Sequence, residues 1–572
     1  MISVWAPHRD RVRLLGASAV LAMERDERGW WHAEAPVTDY AFLLDDDDAN
    51  PLPDPRSRWQ PNGVHGPTRR YDHSAFTWTD QRWTGRALPG SVLYELHIGT
   101  FTPAGTFDAA VERLDHLVDL GIDQVEVMPV NAFDGASGWG YDGVAWGAVH
   151  EPYGGPDGFK RFVDACHARG LGVLLDVVYN HLGPSGAYLD RFGPYFAGRN
   201  IWGPSLNLDG PDSDEVRRYV LDNALDWLRH YHLDGLRLDA VHALVDRSAT
   251  HLLEELAAEV DALATGLRRP LSLIAESDLN DPRLITSREA GGYGLTAQWS
   301  DDIHHALHVA LTGETHGYYA DFAAPGALPG TLGSAYFHTG TWSSFRGRTH
   351  GRPIDPARTP GHRFVAFLQN HDQIGNRATG DRLAATISPQ RQLVGAAILL
   401  TSPYTPMIFM GEEWATEAPW QFFASFTDPE LAESVRTGRR REFAEHGWAQ
   451  AEVPDPMDPA TRIHSTLPWD ELSTPRHRAV LDTYRALIQL RRTHPELSDP
   501  RLDRYTITAA DSWLLLHRGA LRVAANLADT PATIPLDRPP TQLLLSTPNT
   551  TPTLTPDTIT LPPDTFTILT TT

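Results

Sequence analysis

YHLDGLRLDAVHAL, from Tyr231 to Leu244, reads as a strand with an unexpected ending. Leu236, Leu238 and Ala240 alternate with Arg237 and Asp239. Side chains two apart on a strand share a face, so a cation and a carboxylate stand together there, with His242 just beyond. Burying an unpaired charge is strongly unfavourable. Such an ending is expected where a ligand or a neighbouring charge balances it.

The pattern recurs along the chain. VLYELHIGTF (92–101), GIDQVEVMPV (121–130), LGVLLDVVYNH (171–181), DGLRLDAVH (234–242), LSLIAES (271–277), LTAQWSDD (295–302), RFVAFLQNHD (363–372) and PYTPMIFMGEE (403–413) make eight candidate strands. Most are apolar runs that turn polar at their C-terminal ends, as buried parallel strands do. Helical patterns such as TFDAAVERLDHLVDL (106–120) and GFKRFVDACHARG (158–170) separate them. Strands and helices in alternation over this length predict an α/β fold built on a (β/α)8 TIM barrel.

The flanks read differently. Residues 1–85 carry short alternating runs with turns between them, which predicts an N-terminal immunoglobulin-like β-sandwich resembling a glucan-binding module. Its Trp5, Trp30 and Trp31 fill a core or stack on sugar. The Pro- and Gly-rich stretch 45–67 is expected to pack as an ordered loop on the next domain. Asp45–Asp48 within it has a rival reading as a calcium loop, without a recognisable ligand spacing. The barrel is expected over 86–496 and a C-terminal β-sandwich over 497–572.

Composition narrows the function. The formal net charge is −24, which excludes a polyanion partner such as nucleic acid. The run 393–410 is broken by Pro403 and Pro406 and reads as a helix followed by a buried strand, so no membrane span is expected. The start of the chain shows no apolar stretch after a basic one, and no signal peptide is expected. A single cysteine, Cys166, rules out an internal disulfide and fits a reducing cytoplasm. In its helical context it reads as a small buried hydrophobe.

Catalytic groups of such barrels sit at the C-terminal ends of the strands. Asp176 and His181 lie there on strand three, Arg237, Asp239 and His242 on strand four, Glu276 on strand five, and His371 and Asp372 on strand seven. Asp239, Glu276 and Asp372 therefore converge. Glycoside cleavage needs two working carboxylates. Metal hydrolases gather Asp and His in the same place, but the nearest candidates, His304 and His305, are adjacent and leave a helix in different directions. No metal and no cofactor is expected. Arg237 favours an ionised Asp239, as a nucleophile requires. The apolar run before Glu276 favours a retained proton. Trp139, Tyr141 and Trp146 follow strand two and offer aromatic faces to a sugar.

At these residues the chain resembles glycoside hydrolase family 13, the α-amylase family. DVVYNH, DGLRLDAVH, IAESDLN and FLQNHD look like its four ordered signature regions. The resemblance implies Asp239 as nucleophile, Glu276 as general acid/base and Asp372 as transition-state stabiliser. It places His181, Arg237, His371 and Tyr141 around the sugar before the cleaved bond. Trp139, His242, Asp278 and Gln373 complete the expected substrate-binding set. Asn180 matches a position that binds calcium in many α-amylases, although no required metal is expected. LPDPRSRWQPNGVHGP, YELHIGTFTPAGTF, QNHDQIGNR and residues 418–443 resemble the branch that releases free trehalose from maltooligosyl trehalose. The implied pathway partner is the maltooligosyl trehalose synthase, and the implied state is a cytoplasmic monomer. Branching and isoamylase-type debranching enzymes are the alternative. Specificity is expected from the loops after strands five and eight (Asp278, Asn280, Asp281; Glu412, Glu413, Trp414, Trp420, Gln421, Phe422), with Asp301 and Asp302 lining the cleft.

Overall fold

The computed structural model describes residues 1–17, 19–445 and 453–572. Eight parallel strands close a barrel at its centre: β1 (Leu93–Leu96), β2 (Gln124–Val127), β3 (Gly172–Val177), β4 (Gly235–Leu238), β5 (Ser272–Ala275), β6 (Ala297–Trp299), β7 (Phe364–Phe367) and β8 (Thr405–Phe409). All eight fall inside the expected runs. β8 pairs with β1 through Met407↔Leu93, which closes the ring.

Period-two alternation sorts each strand into two faces. Leu236 and Leu238 of β4 join the large core between barrel and helices. Leu93, Leu174, Ile274, Trp299, Val365, Phe367 and Met407 fill the interior instead. Arg237 takes its place inside, fully buried, with its guanidinium carbon 4.2 Å from the centre of the Trp299 ring. The helix Gly155–Ala168 packs Cys166 into the core, where burial pushes its thiol well above the ordinary value. The 393–410 run divides into the helix Pro389–Thr401 and strand β8. No described helix is long and apolar enough to cross a membrane.

The N-terminal strands form a three-stranded and a four-stranded antiparallel sheet. Trp5 and Trp31 are buried in their core, whereas Trp30 lies under the Arg56 guanidinium at 5.2 Å. The 45–67 segment docks on the barrel: Arg56 pairs with Asp222 at 2.9 Å, Arg58 with Asp226 at 2.7 Å, and the Trp59 indole donates to Glu151 at 2.8 Å. Asp45, Asp46, Asp47 and Asp48 are taken up by Arg9, Arg11, Arg191 and Arg13 respectively. The acidic run thus finds its counter-charge in arginines. At the other end, a five-stranded and a three-stranded sheet follow residue 505, and Arg391 of helix Pro389–Thr401 ties them to the barrel through Asp564 at 2.7 Å.

A buried polar knot fastens the entry segment to the barrel. Asp80 accepts from His167 and His232, each at 2.8 Å, and His167 also contacts Asp234 at 3.2 Å. Trp83 stacks on His167 and Trp78 on His232. Burial alone would raise the Asp80 carboxyl, but the two histidines draw it well below the usual range. Burial alone would lower His167, but Asp234 and Asp80 leave it raised. A depressed carboxyl stabilises the fold above its unfolded pKa of about 4 and loses that effect as pH falls. A raised histidine stabilises below about 6.5 and loses the effect as pH rises through its folded value. Asp80→Asn should therefore lower Tm most at about pH 5–6. The gap to the unaltered protein should narrow towards pH 3, measured by thermal unfolding at a series of pH values. A constant gap would show that the knot acts through packing alone.

Candidate active site

The polar strand ends meet at one mouth of the barrel. Arg237 is the hub. Its Nη1 donates to both Asp176 oxygens at 2.9 and 2.8 Å and to Asp239 Oδ1 at 2.7 Å; its Nη2 lies 3.4 Å from Glu276 Oε2. The cation at the end of β4 is thus balanced by carboxylates from β3, from the end of β4 itself and from the end of β5. Asn180 donates to the backbone carbonyl of Asp239 at 3.0 Å and to its carboxylate. The chain then turns at Ala240, whose φ of 39° is in the left-handed region. Non-glycine residues persist there only when their surroundings hold them. The turn aims the Ala240 N–H at Glu276 Oε2.

Glu276 and Asp239 differ in their surroundings. Burial lifts Glu276 to about 8; Arg237 opposes the rise, while Asp239, Asp372 and Asp301 add to it. Glu276 therefore keeps its proton at neutral pH. Asp239 holds the direct guanidinium contact. Asp372 sits in the first turn of the short helix His371–Gly375, with 40% of its side chain exposed and the Asn370 amide oxygen capping its N–H at 3.0 Å.

The residues expected around the sugar fall into distinct places. The Tyr141 hydroxyl bonds Asp176 at 2.5 Å and His371 at 2.8 Å, and its ring stacks on that of His371. His371 is gripped from behind by Glu95, which bonds its Nδ1 and accepts from its N–H at 3.0 Å. Burial alone would lower His371, but Glu95 holds it up at about 9. His181 contacts Asn180 and stacks on Trp202. His242 meets the edge of the same indole, and burial lowers its pKa. Asp278 pairs with Arg346 at 2.9 Å. Gln373 donates to Asp301 at 3.3 Å.

Trp139 is packed rather than open. It is 7% exposed, stacks on Trp420 and donates to the Gln421 carbonyl at 3.0 Å. It crosses so close to Gly375 that a Cβ there would stand 1.9 Å from the ring. Trp146 is wholly buried against Tyr219. Several residues expected to give specificity are likewise structural. Glu412, Glu413, Trp414 and Trp420 are buried. Glu413 bonds Tyr94 and His116, Glu412 bonds Tyr484, and Trp414 bonds Glu471. Asn280 and Asp302 bond each other at 2.7 Å. Asp281 caps a single helical turn through the Arg283 N–H.

Three groups at the mouth escaped the sequence reading. Glu95 left a signal, a carboxyl inside the apolar run YELHIGTF. Trp202 and Arg346 left none. They stand on hairpins, Phe196–Leu206 and Thr341–His350, whose strands are short and whose placement depends on the whole fold. Trp202 is 43% exposed beside His181 and His242.

The site does not suit calcium at Asn180. Its amide nitrogen is committed to Asp239, its amide oxygen faces His181 Nδ1, and its carbonyl accepts from Asn200 at 2.9 Å. Among the described residues no cluster of three or more His, Cys, Asp or Glu is arranged to hold a metal ion. His304 and His305 are both buried beside Tyr319, and burial lowers the pKa of each.

Residues 69–194 match the family model "Alpha amylase, catalytic domain", and residues 500–568 match "Domain of unknown function (DUF3459)". The malto-oligosyltrehalose trehalohydrolase of Arthrobacter ramosus is 56% identical over 542 residues, 93% of each chain. That of Mycobacterium tuberculosis H37Rv is 55% identical over 542 residues, again 93% of each. Among solved structures, a putative alpha amylase from Salmonella typhimurium superposes with a TM-score of 0.90 at 38% identity, covering 100% of this chain and 97% of that one.

Proposed function

Because the chain belongs to the malto-oligosyltrehalose trehalohydrolases of the α-amylase family, we propose that Asp239, Glu276 and Asp372 carry out its chemistry. The enzyme hydrolyses the α-1,4-glucosidic bond next to the terminal α,α-trehalose unit of maltooligosyl trehalose and releases free trehalose. The observation that carries the residue assignment is the shared guanidinium: Asp239 and Glu276 both lie on Arg237, one at 2.7 Å and one at 3.4 Å. A retaining enzyme needs its two carboxyls about 5–5.5 Å apart, and one cation between them suits that spacing.

In this reading Asp239 attacks the anomeric carbon while Glu276 passes its proton to the leaving oxygen. Trehalose departs. Asp372 stabilises the oxocarbenium-like charge. Glu276 then takes a proton from water, which attacks the glycosyl–Asp239 bond and frees the glucan. Tyr141, His181, Arg237 and His371 hold the reacting sugar. Trp202, His242 and the Asp278–Arg346 pair form the wall on the leaving-group side. An aromatic face and fixed hydrogen-bonding groups suit a disaccharide with an α,α-1,1 link. We place the enzyme in the cytoplasm as a monomer, acting on the product of the maltooligosyl trehalose synthase.

Product analysis tests the reading. The protein, with chelator present, is given maltotriosyl trehalose and, separately, maltopentaose and amylose. Rapid trehalose release with slow attack on the other two is the expected result. New α-1,6 branches in amylose without trehalose would transfer the chain to the branching enzymes.

A further inference from the structure

The connection from β5 to β6, residues 276–296, has two single helical turns, Pro282–Leu284 and Arg288–Ala290, in place of a full helix. Between these turns and the segment 352–363, which leads into β7, lies a cavity of about 500 Å³. Four arginines line it, Arg283, Arg352, Arg358 and Arg363, against one acidic residue, Asp355. In a chain with a formal net charge of −24, that local excess of cations runs against the surface as a whole.

The cations are only loosely neutralised. Asp355 accepts from the Ala357 N–H at 3.1 Å within its own turn, and Arg358 comes no closer to it than 3.5 Å. Arg283 lies 3.2 Å from Asp281 and under the Tyr293 ring at 5.0 Å. Arg363 is held by the backbone carbonyls of Ile285 and Leu295 at 2.9 and 3.2 Å. Among the described residues neither Arg363 nor Arg352 pairs with a carboxylate. The walls are preformed. The N–H groups of Tyr293, Gly294 and Leu295 bond the carbonyls of Arg283, Thr286 and Leu284 at 2.9, 2.9 and 3.0 Å and close one wall on itself. Those of Thr359 and Gly361 bond the carbonyls of Asp355 and Pro500 at 2.8 and 2.6 Å and pin the other. The Arg352 N–H joins the two walls through the Asn280 carbonyl at 3.1 Å.

We propose that this cavity is a second binding site, which takes the phosphoryl dianion of a small metabolite. A guanidinium presents a planar fork of donors that matches phosphate oxygens two at a time. Several such forks suit a group with three oxygens and close to two negative charges at neutral pH. The volume exceeds what a bare phosphate fills and is that of a small-molecule pocket. Ile285, Ile354 and the Thr359 hydroxyl complete the lining beside the arginines, an apolar and hydroxylic surface that suits a sugar-sized body. The site shares no residue with the carboxyls at the barrel mouth, so it stands apart from their assignment.

Calorimetry on the full chain tests it, at about pH 7.5 and low salt, where the phosphoryl group is a dianion. The probes are glucose 6-phosphate, inorganic phosphate and glucose. Saturable binding of glucose 6-phosphate at one site per chain is expected, with none comparable for glucose. Tighter binding than inorganic phosphate assigns the cavity to a phosphorylated sugar; equal binding assigns it to free phosphate. Arg352 and Arg358 are exposed, so Arg352→Gln combined with Arg358→Gln should leave Tm unchanged and weaken binding about tenfold or more. Arg538→Gln, on the C-terminal sheets, should bind like the unaltered protein. Absence of heat from both phosphates overturns the proposal. So does phosphate binding that survives the double variant, or glucose binding as tight as that of its phosphate.

Discussion

Asp239→Asn is expected to lower kcat for trehalose release by on the order of 10⁴-fold or more, with substrate binding largely kept. The asparagine amide fills the same volume but cannot form the glycosyl ester. Arg237 keeps its two bonds to Asp176, so the hub retains a counter-charge, and Tm should change little. Rates of trehalose release and calorimetric binding of maltotriosyl trehalose give the two readouts. A variant that retains a tenth of the activity would remove Asp239 from the nucleophile's role.

The second large effect is selective. Glu276→Gln should slow hydrolysis of maltooligosyl trehalose by roughly 10²–10⁴-fold, the range of general acid–base catalysis. The loss should be much smaller for the glycosylation step with α-maltosyl fluoride, because fluoride departs without a proton. The pH profile gives the sign. Glu276 works as an acid while protonated, and burial holds its proton up to about 8, so acid-catalysed cleavage fades as pH rises through that value. The residual activity of Glu276→Gln should lack this alkaline limb. Equal losses on both substrates would mean that the carboxyl shapes the site without passing on a proton.

Both predictions concern residues already visible in the sequence, and the reason is local. A parallel barrel strand writes its own position: an apolar run long enough to be buried, then a polar end where the chain reaches the mouth. Arg237, Asp239, Glu276, His371 and Asp372 each lie within a few residues of such an ending. β4 illustrates this, since alternation alone sends Leu236 and Leu238 outward into the core under the helices and Arg237 inward against Trp299. Glu95 carried the same signature.

The wall of the cleft obeyed no such rule. Glu412, Glu413 and Trp414 follow β8 in the manner of site residues, yet they are buried and bonded to Tyr484, Tyr94, His116 and Glu471. Whether a polar residue after a strand faces the mouth or the packing behind it depends on partners more than fifty positions away.

The barrel, its flanking sheets and the carboxyls at the strand ends follow from near-neighbour patterning, because strand period and burial are local. Which side chains gather around the barrel mouth follows from long-range packing. That packing brought the hairpin Phe196–Leu206 over His181 and His242, joined Arg346 to Asp278, and turned Trp139 into the packing behind His371. Those outcomes depend on where distant loops come to rest, and loop placement follows from long-range contacts that no short stretch encodes.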